Sequence, residues 1–116
     1  MTDLTPNQVV TNLMELARKL ADLSDGLEQM EVDVVNKRAD YNLAYQKAYL
    51  TSEGMVKERE LTADAATGAE RVAMELAEVS VRARKRDVQT VNTRIDVGRT
   101  AAAMLRAELS LDGIRR

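Results

Sequence analysis

Eight apolar residues near the start of the chain repeat at alternating intervals of four and three. This set, which we call the N-terminal seam, consists of Val9, Leu13, Leu16, Leu20, Leu23, Leu27, Met30 and Val34. The spacing is the a/d pattern of an α-helix that packs lengthwise on another helix, because all eight side chains return to one side. The pattern predicts long, associating helices, and we expect the N-terminal seam to form the interface of a homo-oligomer.

The composition favours thin layers of helices over a compact core. Only 3% of the 116 residues are aromatic, all of them tyrosine, and 31% are charged. Small and aliphatic side chains suit the narrow space between two helices, and a high charge content suits helices with one side in water. We therefore predict one all-α domain over residues 1–116, a long helical hairpin with coiled-coil-like packing in an oligomeric helical assembly.

Turn and capping residues divide this domain into three helical stretches. Thr5, Pro6 and Gln8 have the order of a capping box with proline at the first helical position. Gly54 follows the polar run Thr51–Glu53 and predicts the reversal of the hairpin, because glycine adopts positive φ at little cost. We expect helices over residues 6–23, 27–52 and 55–109, with bends near Gly26, Gly68 and Gly98.

The third stretch carries two further apolar seams. Both follow the same alternation of three and four residues, and both predict sides that pack on another helix. The shorter seam consists of Val72, Leu76, Val79 and Ala83. The longer seam consists of Val81, Arg84, Val88, Val91, Ile95, Gly98, Ala102, Leu105 and Leu109.

No residue constellation points to an enzyme. The chain has neither histidine nor cysteine, so zinc sites with those ligands and the common nucleophilic triads are excluded. Glu75 and Glu78 share a helix side, but Arg71 and Arg82 lie four residues from them, so we interpret them as members of surface ion pairs. We expect no catalytic residue, no bound metal and no cofactor.

The last third of the chain is basic. Residues 79–116 carry nine basic and four acidic side chains, a net charge of +5 in a chain whose total is −2. Clustered cations favour a polyanion, and arginine forms bidentate contacts with phosphate. The alternative interpretation is a solvated side, or a side complementary to the acidic first half of another subunit. The candidate nucleic-acid-binding residues are Arg82, Lys85, Arg86, Arg94 and Arg99, and Arg106 extends the same segment.

Three tyrosines lie on one helix side. Tyr41, Tyr45 and Tyr49 are four residues apart, a spacing that places them in a slowly rotating row. Aromatic rings in such a row can stack on unpaired bases, as in proteins that bind single strands. The alternative interpretation is a helix core in which the hydroxyl groups remain in water.

Targeting signals are not apparent. No stretch approaches the length and apolarity of a membrane-spanning helix, and the first residues have neither the basic nor the apolar region of a signal peptide. We expect a protein without a membrane partner, located in the cytoplasm of a cell or of a phage host.

The sequence resembles small helical proteins of bacteriophages that are encoded near replication and recombination genes, and its layout is similar to recombination mediators of the UvsY type. The resemblance covers about residues 27–110 and is a pattern of helix sides and turns. It rests on Tyr41–Leu50, Gly54, Val56–Glu60, Arg94–Thr100 and Leu105–Glu108.

The resemblance implies a non-enzymatic oligomer that binds single-stranded DNA and supports recombination. The alternative is a structural or adaptor protein, such as an assembly chaperone, a scaffold or a binder of a host factor, that acts through helix–helix contacts.

Overall fold

The fold is built from α-helices. A computed structural model describes the backbone of residues 5–115 and the side chains of residues 5–113. This part of the chain contains four helices and no β-strand: α1 (Pro6–Ser24), α2 (Leu27–Thr51), α3 (Val56–Ala66) and α4 (Gly68–Arg115). The predicted all-α helical hairpin is confirmed. Contacts divide the chain into a terminal unit and a central unit.

The start of α1 follows directly from its sequence. The backbone N–H of Gln8 donates to Thr5 Oγ1 at 3.2 Å, and the backbone N–H of Thr5 donates to Gln8 Oε1 at 2.9 Å. Pro6 occupies the first helical position. Two donors that a helix leaves unpaired at its N-terminus are thereby satisfied, which confirms the predicted capping box. The helix ends before Gly26, whose φ is +77°.

The terminal unit combines the residues up to Asp25 with those from Lys85 onward. In it, α1 packs on the second half of α4. Leu13 lies against Gly98, and Val9 and Val91 are buried. The two segments are antiparallel. Val9, near the start of α1, lines a depression with Leu105, near the end of α4, whereas residues near the end of α1 line a second depression with residues nearer the middle of α4. The residues around that second depression are Lys19, Leu23, Asp87, Thr90, Val91 and Arg94.

The central unit, Gly26–Arg84, contains the hairpin. Helix α3 contacts α2, and the first half of α4 continues along α2, where Met30 lines one depression with Ala77 and Lys37 lines another with Ala73. The reversal lies between Thr51 and Val56. Gly54 has a φ of +111° there, the positive value expected from the sequence.

The long stretch after the reversal is interrupted once, at Thr67. The Thr67 side chain is 2% exposed, and its Oγ1 donates to the Ala63 carbonyl at 2.7 Å. The interruption adjoins Gly68, where we expected a bend. Helix α4 passes through Gly98 without a break and ends at Arg115 rather than near Leu109, and a bend at Gly98 stays a prediction. The absence of a side chain at Gly98 allows the close approach of Leu13.

Candidate nucleic-acid interface

The five candidate nucleic-acid-binding residues are all exposed on α4. Arg82 belongs to the central unit, whereas Lys85, Arg86, Arg94 and Arg99 belong to the terminal unit. Arg84 is half-buried, because its position continues the longer apolar seam. The exposed cations are therefore separated from the seam that packs on other helices.

Four arginines of the terminal unit have unpaired guanidinium groups. Neither an ion pair nor a side-chain hydrogen bond engages them within the described residues. They are Arg86, Arg94, Arg99 and Arg106. In the central unit, Arg38 pairs with Glu78 at 3.0 Å, and Arg59 Nε donates to the Gly54 carbonyl at 3.1 Å. Arg71 and Arg82 there pair with no described residue either, so the second half of α4 differs in the number of such arginines and in its positive net charge.

These cations do not form one cluster. Arg99 and Arg106 are seven residues apart and share one side of α4 with Lys85, since seven residues are nearly two turns. Arg94 points about 140° away from Arg99 at 100° per residue and lines a depression with Asp87 and Lys19. Of the five candidate residues, Lys85 and Arg99 therefore lie on one side of α4, and Arg94 lies on another side of the same helix.

The tyrosines form a row beside the hairpin reversal. The ring centroids of Tyr41 and Tyr45 are 6.2 Å apart, and those of Tyr45 and Tyr49 are 6.5 Å apart. All three side chains are half-buried. Tyr45 and Tyr49 line an open cleft of about 370 Å³ together with Gln46, Leu50 and Glu60.

Carboxylates frame this tyrosine cleft. Desolvation raises the pKa of the Tyr45 hydroxyl above its ordinary value, and the negative charges of Asp64 and Glu60 raise it further. The same charges repel phosphate. Arg59 is the nearby cation, with its guanidinium carbon 6.0 Å from the centroid of the Tyr49 ring. Base stacking on these rings stays a prediction, and the electrostatics around them favour a ligand without phosphates.

The residues of the N-terminal seam are all buried or half-buried within the chain. In the terminal unit Leu13 contacts Gly98, and in the central unit Met30 lines a depression with Ala77. This seam therefore already has partners in its own chain. Its role as an oligomer interface stays a prediction, and a second copy bound there would have to displace α4.

The carboxylates of α4 have other partners than the sequence indicated. Glu78 pairs with Arg38, forty residues away, and not with Arg82. Glu75 and Arg71 form no ion pair within the described part of the chain. Sequence reasoning missed these arrangements because a four-residue spacing permits a pair without requiring it.

Two further kinds of site are not found within residues 5–113. No group of three or more carboxylates is placed to hold a metal ion there. No helix in that range is long and apolar enough to cross a membrane.

The chain matches no family model, no curated protein and no solved structure. Its function is therefore inferred from the cations of α4 and from the apolar helix sides.

Proposed function

We propose that the chain is a non-enzymatic accessory protein that binds single-stranded nucleic acid along the second half of α4. The unpaired guanidinium groups of Arg86, Arg94, Arg99 and Arg106 carry this proposal. A role in phage recombination is its most specific form and rests on the resemblance to mediators of the UvsY type.

The charge of the segment supports the proposal. Residues 85–106 contain five basic and two acidic side chains, a net charge of +3 in a chain of net charge −2. Cations that pair with no described residue can replace the counterions of a phosphate backbone, and the release of those counterions drives binding. The affinity for this segment is therefore expected to depend little on the nucleotide sequence of the strand and strongly on the salt concentration.

The experiment compares two variants of equal net charge. In the first, Arg86, Arg94 and Arg99 are replaced by glutamine. In the matched control, Lys47, Lys57 and Arg71, which are exposed in the central unit, are replaced by glutamine. Fluorescence anisotropy with a labelled single strand of mixed sequence gives the affinities at low salt.

We expect the α4 variant to bind at least about tenfold more weakly than wild type, because each lost arginine removes a charge-assisted contact. The affinity of the control variant is expected to stay within about threefold of the wild-type affinity. Its substitutions change the net charge of the protein but leave the arginines of the second half of α4 in place. Equal weakening of the two variants would mean that binding does not depend on the second half of α4. A wild-type protein that does not bind at low salt would contradict the proposal outright.

The second candidate is an adaptor that acts through helix–helix contacts. The specific observation in its favour is the exposure of Val72, Leu76 and Val79, which the sequence placed in a packing seam. This candidate accounts for the apolar side of the first half of α4 and does not use the arginines.

A further inference from the structure

The first half of α4 has an apolar side that no other part of the described chain covers. Val72, Leu76 and Val79 are 50%, 62% and 48% exposed, and Ala83 is exposed as well. We call these four residues the outer stripe. They lie on the side of α4 away from the half-buried Ala77 and the buried Val81, which face the hairpin. All belong to the central unit.

The outer stripe has the geometry of a coiled-coil seam. Its intervals of four, three and four residues keep the four side chains in line over about 16 Å of helix, at 1.5 Å per residue. A helix that is apolar on two opposite sides buries both only when it packs between two partners. One partner is α2, and the outer stripe requires a second.

Charges beside the stripe indicate what that partner is. Glu75 and Arg82 flank the stripe on the same rim, and both are exposed. Neither forms an ion pair among the described residues, and Glu78, the carboxylate four residues before Arg82, is engaged by Arg38 instead. The rim thus offers one unpaired negative and one unpaired positive charge, seven residues apart, and a surface with charges of both signs can be complementary to itself.

An antiparallel second copy satisfies both charges at once. With a twofold axis between positions 77 and 78, Leu76 packs on Val79 of the other copy, and Val72 packs on Ala83. The same axis brings Glu75 of each copy beside Arg82 of the other, in two symmetric pairs. The opposite rim carries the small residues Ala73 and Ser80, which allow the helices to approach closely.

A parallel pairing is less favourable. In a parallel coiled coil a residue at the Glu75 position faces the residue five positions later in the partner helix. That residue is Ser80, so Glu75 would have no cationic partner. We propose that the outer stripe binds the outer stripe of a second copy in antiparallel orientation, with reciprocal pairs between Glu75 and Arg82.

The interface is small. Four apolar side chains per copy bury much less than the roughly 800 Å² per partner of a standard interface. The dimer is therefore weak, with dissociation in the micromolar range or above. This inference does not rest on nucleic-acid binding, and its test contains no nucleic acid.

The test uses charge reversal and sedimentation equilibrium over a wide range of protein concentrations. Glu75→Arg and Arg82→Glu each turn two attractive pairs into two repulsive ones, which weakens the homodimer by roughly tenfold. An equimolar mixture of the two variants restores association, since each copy then faces its opposite charge. The double variant Glu75→Arg/Arg82→Glu also associates like wild type.

A second pair of variants tests the stripe itself. Leu76→Gln is expected to abolish association, whereas Leu43→Gln, at a residue 70% exposed on α2, is expected to leave it unchanged. Circular dichroism checks that both variants remain helical. A wild-type protein that is monomeric throughout, a mixture of charge variants that fails to associate, or equal effects of Leu76→Gln and Leu43→Gln would each overturn the inference.

Discussion

The contact between Leu13 and Gly98 gives a quantitative test of how α1 packs on α4. A Cβ atom added at Gly98 would lie 2.7 Å from Leu13 Cδ2 and 3.4 Å from Leu13 Cγ. Alanine in place of a helical glycine gains about 1 kcal/mol from helix propensity. Leu13 must move to accommodate the new methyl group, and forcing it off its rotamer costs about 0.5–1.5 kcal/mol.

The two terms nearly cancel, so Gly98→Ala is expected to change the free energy of unfolding by less than about 0.5 kcal/mol in the wild-type background. In a Leu13→Ala background the steric term disappears, and the same substitution should stabilise the protein by about 1 kcal/mol. The difference is a coupling energy of about 1 kcal/mol between two residues 85 positions apart in the sequence.

Urea unfolding followed by circular dichroism measures all four members of this cycle. Protein concentration is held constant, since association would shift the apparent stability. Gly113→Ala is the matched control, because a Cβ atom there meets nothing within 4 Å and its effect should be equal in both backgrounds. Equal effects of Gly98→Ala with and without Leu13 would refute the packing of α1 on α4 in the terminal unit.

Three further predictions concern the hairpin, the tyrosine cleft and the first helix cap. Gly54→Ala should destabilise by about 1–2 kcal/mol in urea unfolding, because the φ of +111° disfavours a side chain and the new Cβ would overlap Glu58; unchanged stability would contradict this. The raised pKa of Tyr45 favours its neutral form in the folded protein, so its contribution should be constant below about pH 10 and lost as the pH rises further. Tyr45→Phe should therefore remove part of the alkaline loss of stability, and identical pH profiles would argue against it. Thr5→Ala should cost about 1 kcal/mol, because the Gln8 N–H loses its acceptor, whereas Thr11→Ala on the exposed side of α1 should be neutral or slightly stabilising, because alanine is the better helix former.

Local features of the fold could be predicted from the sequence, because residues a few positions apart determine them. The capping box of Thr5 and Gln8 and the positive φ of Gly54 are of this kind. The apolar seams were visible for a related reason, since helical periodicity depends only on spacing. The close approach of Leu13 to Gly98 could not be predicted, because a bend and a close approach both favour glycine at a position.

The pairing of distant elements could not be predicted in the same way. Spacings of three and four residues are common to every seam, so they do not specify which seam meets which. The outer stripe illustrates this, since its residues have the same spacing as those of the longer seam but its side chains are exposed. The pair of Arg38 with Glu78 likewise depends on the register of the hairpin. Among the candidate cations, the angle between Arg94 and Arg99 follows from their spacing along one helix, but the depression that Arg94 lines with Lys19 depends on the packing of α1 and could not be predicted.

The most direct test of the proposed function is the salt dependence of binding to a labelled single strand. If Arg86, Arg94, Arg99 and Arg106 all contact phosphates, log K plotted against log salt concentration should have a slope of about −2.8 per bound copy, at roughly −0.7 per phosphate contact. The variant with glutamine at Arg86, Arg94 and Arg99 keeps only Arg106 and should have a slope of about −0.7, while the control with glutamine at Lys47, Lys57 and Arg71 keeps the wild-type slope. Equal slopes for the variant at Arg86, Arg94 and Arg99 and for wild type would contradict the assignment of nucleic-acid binding to the second half of α4.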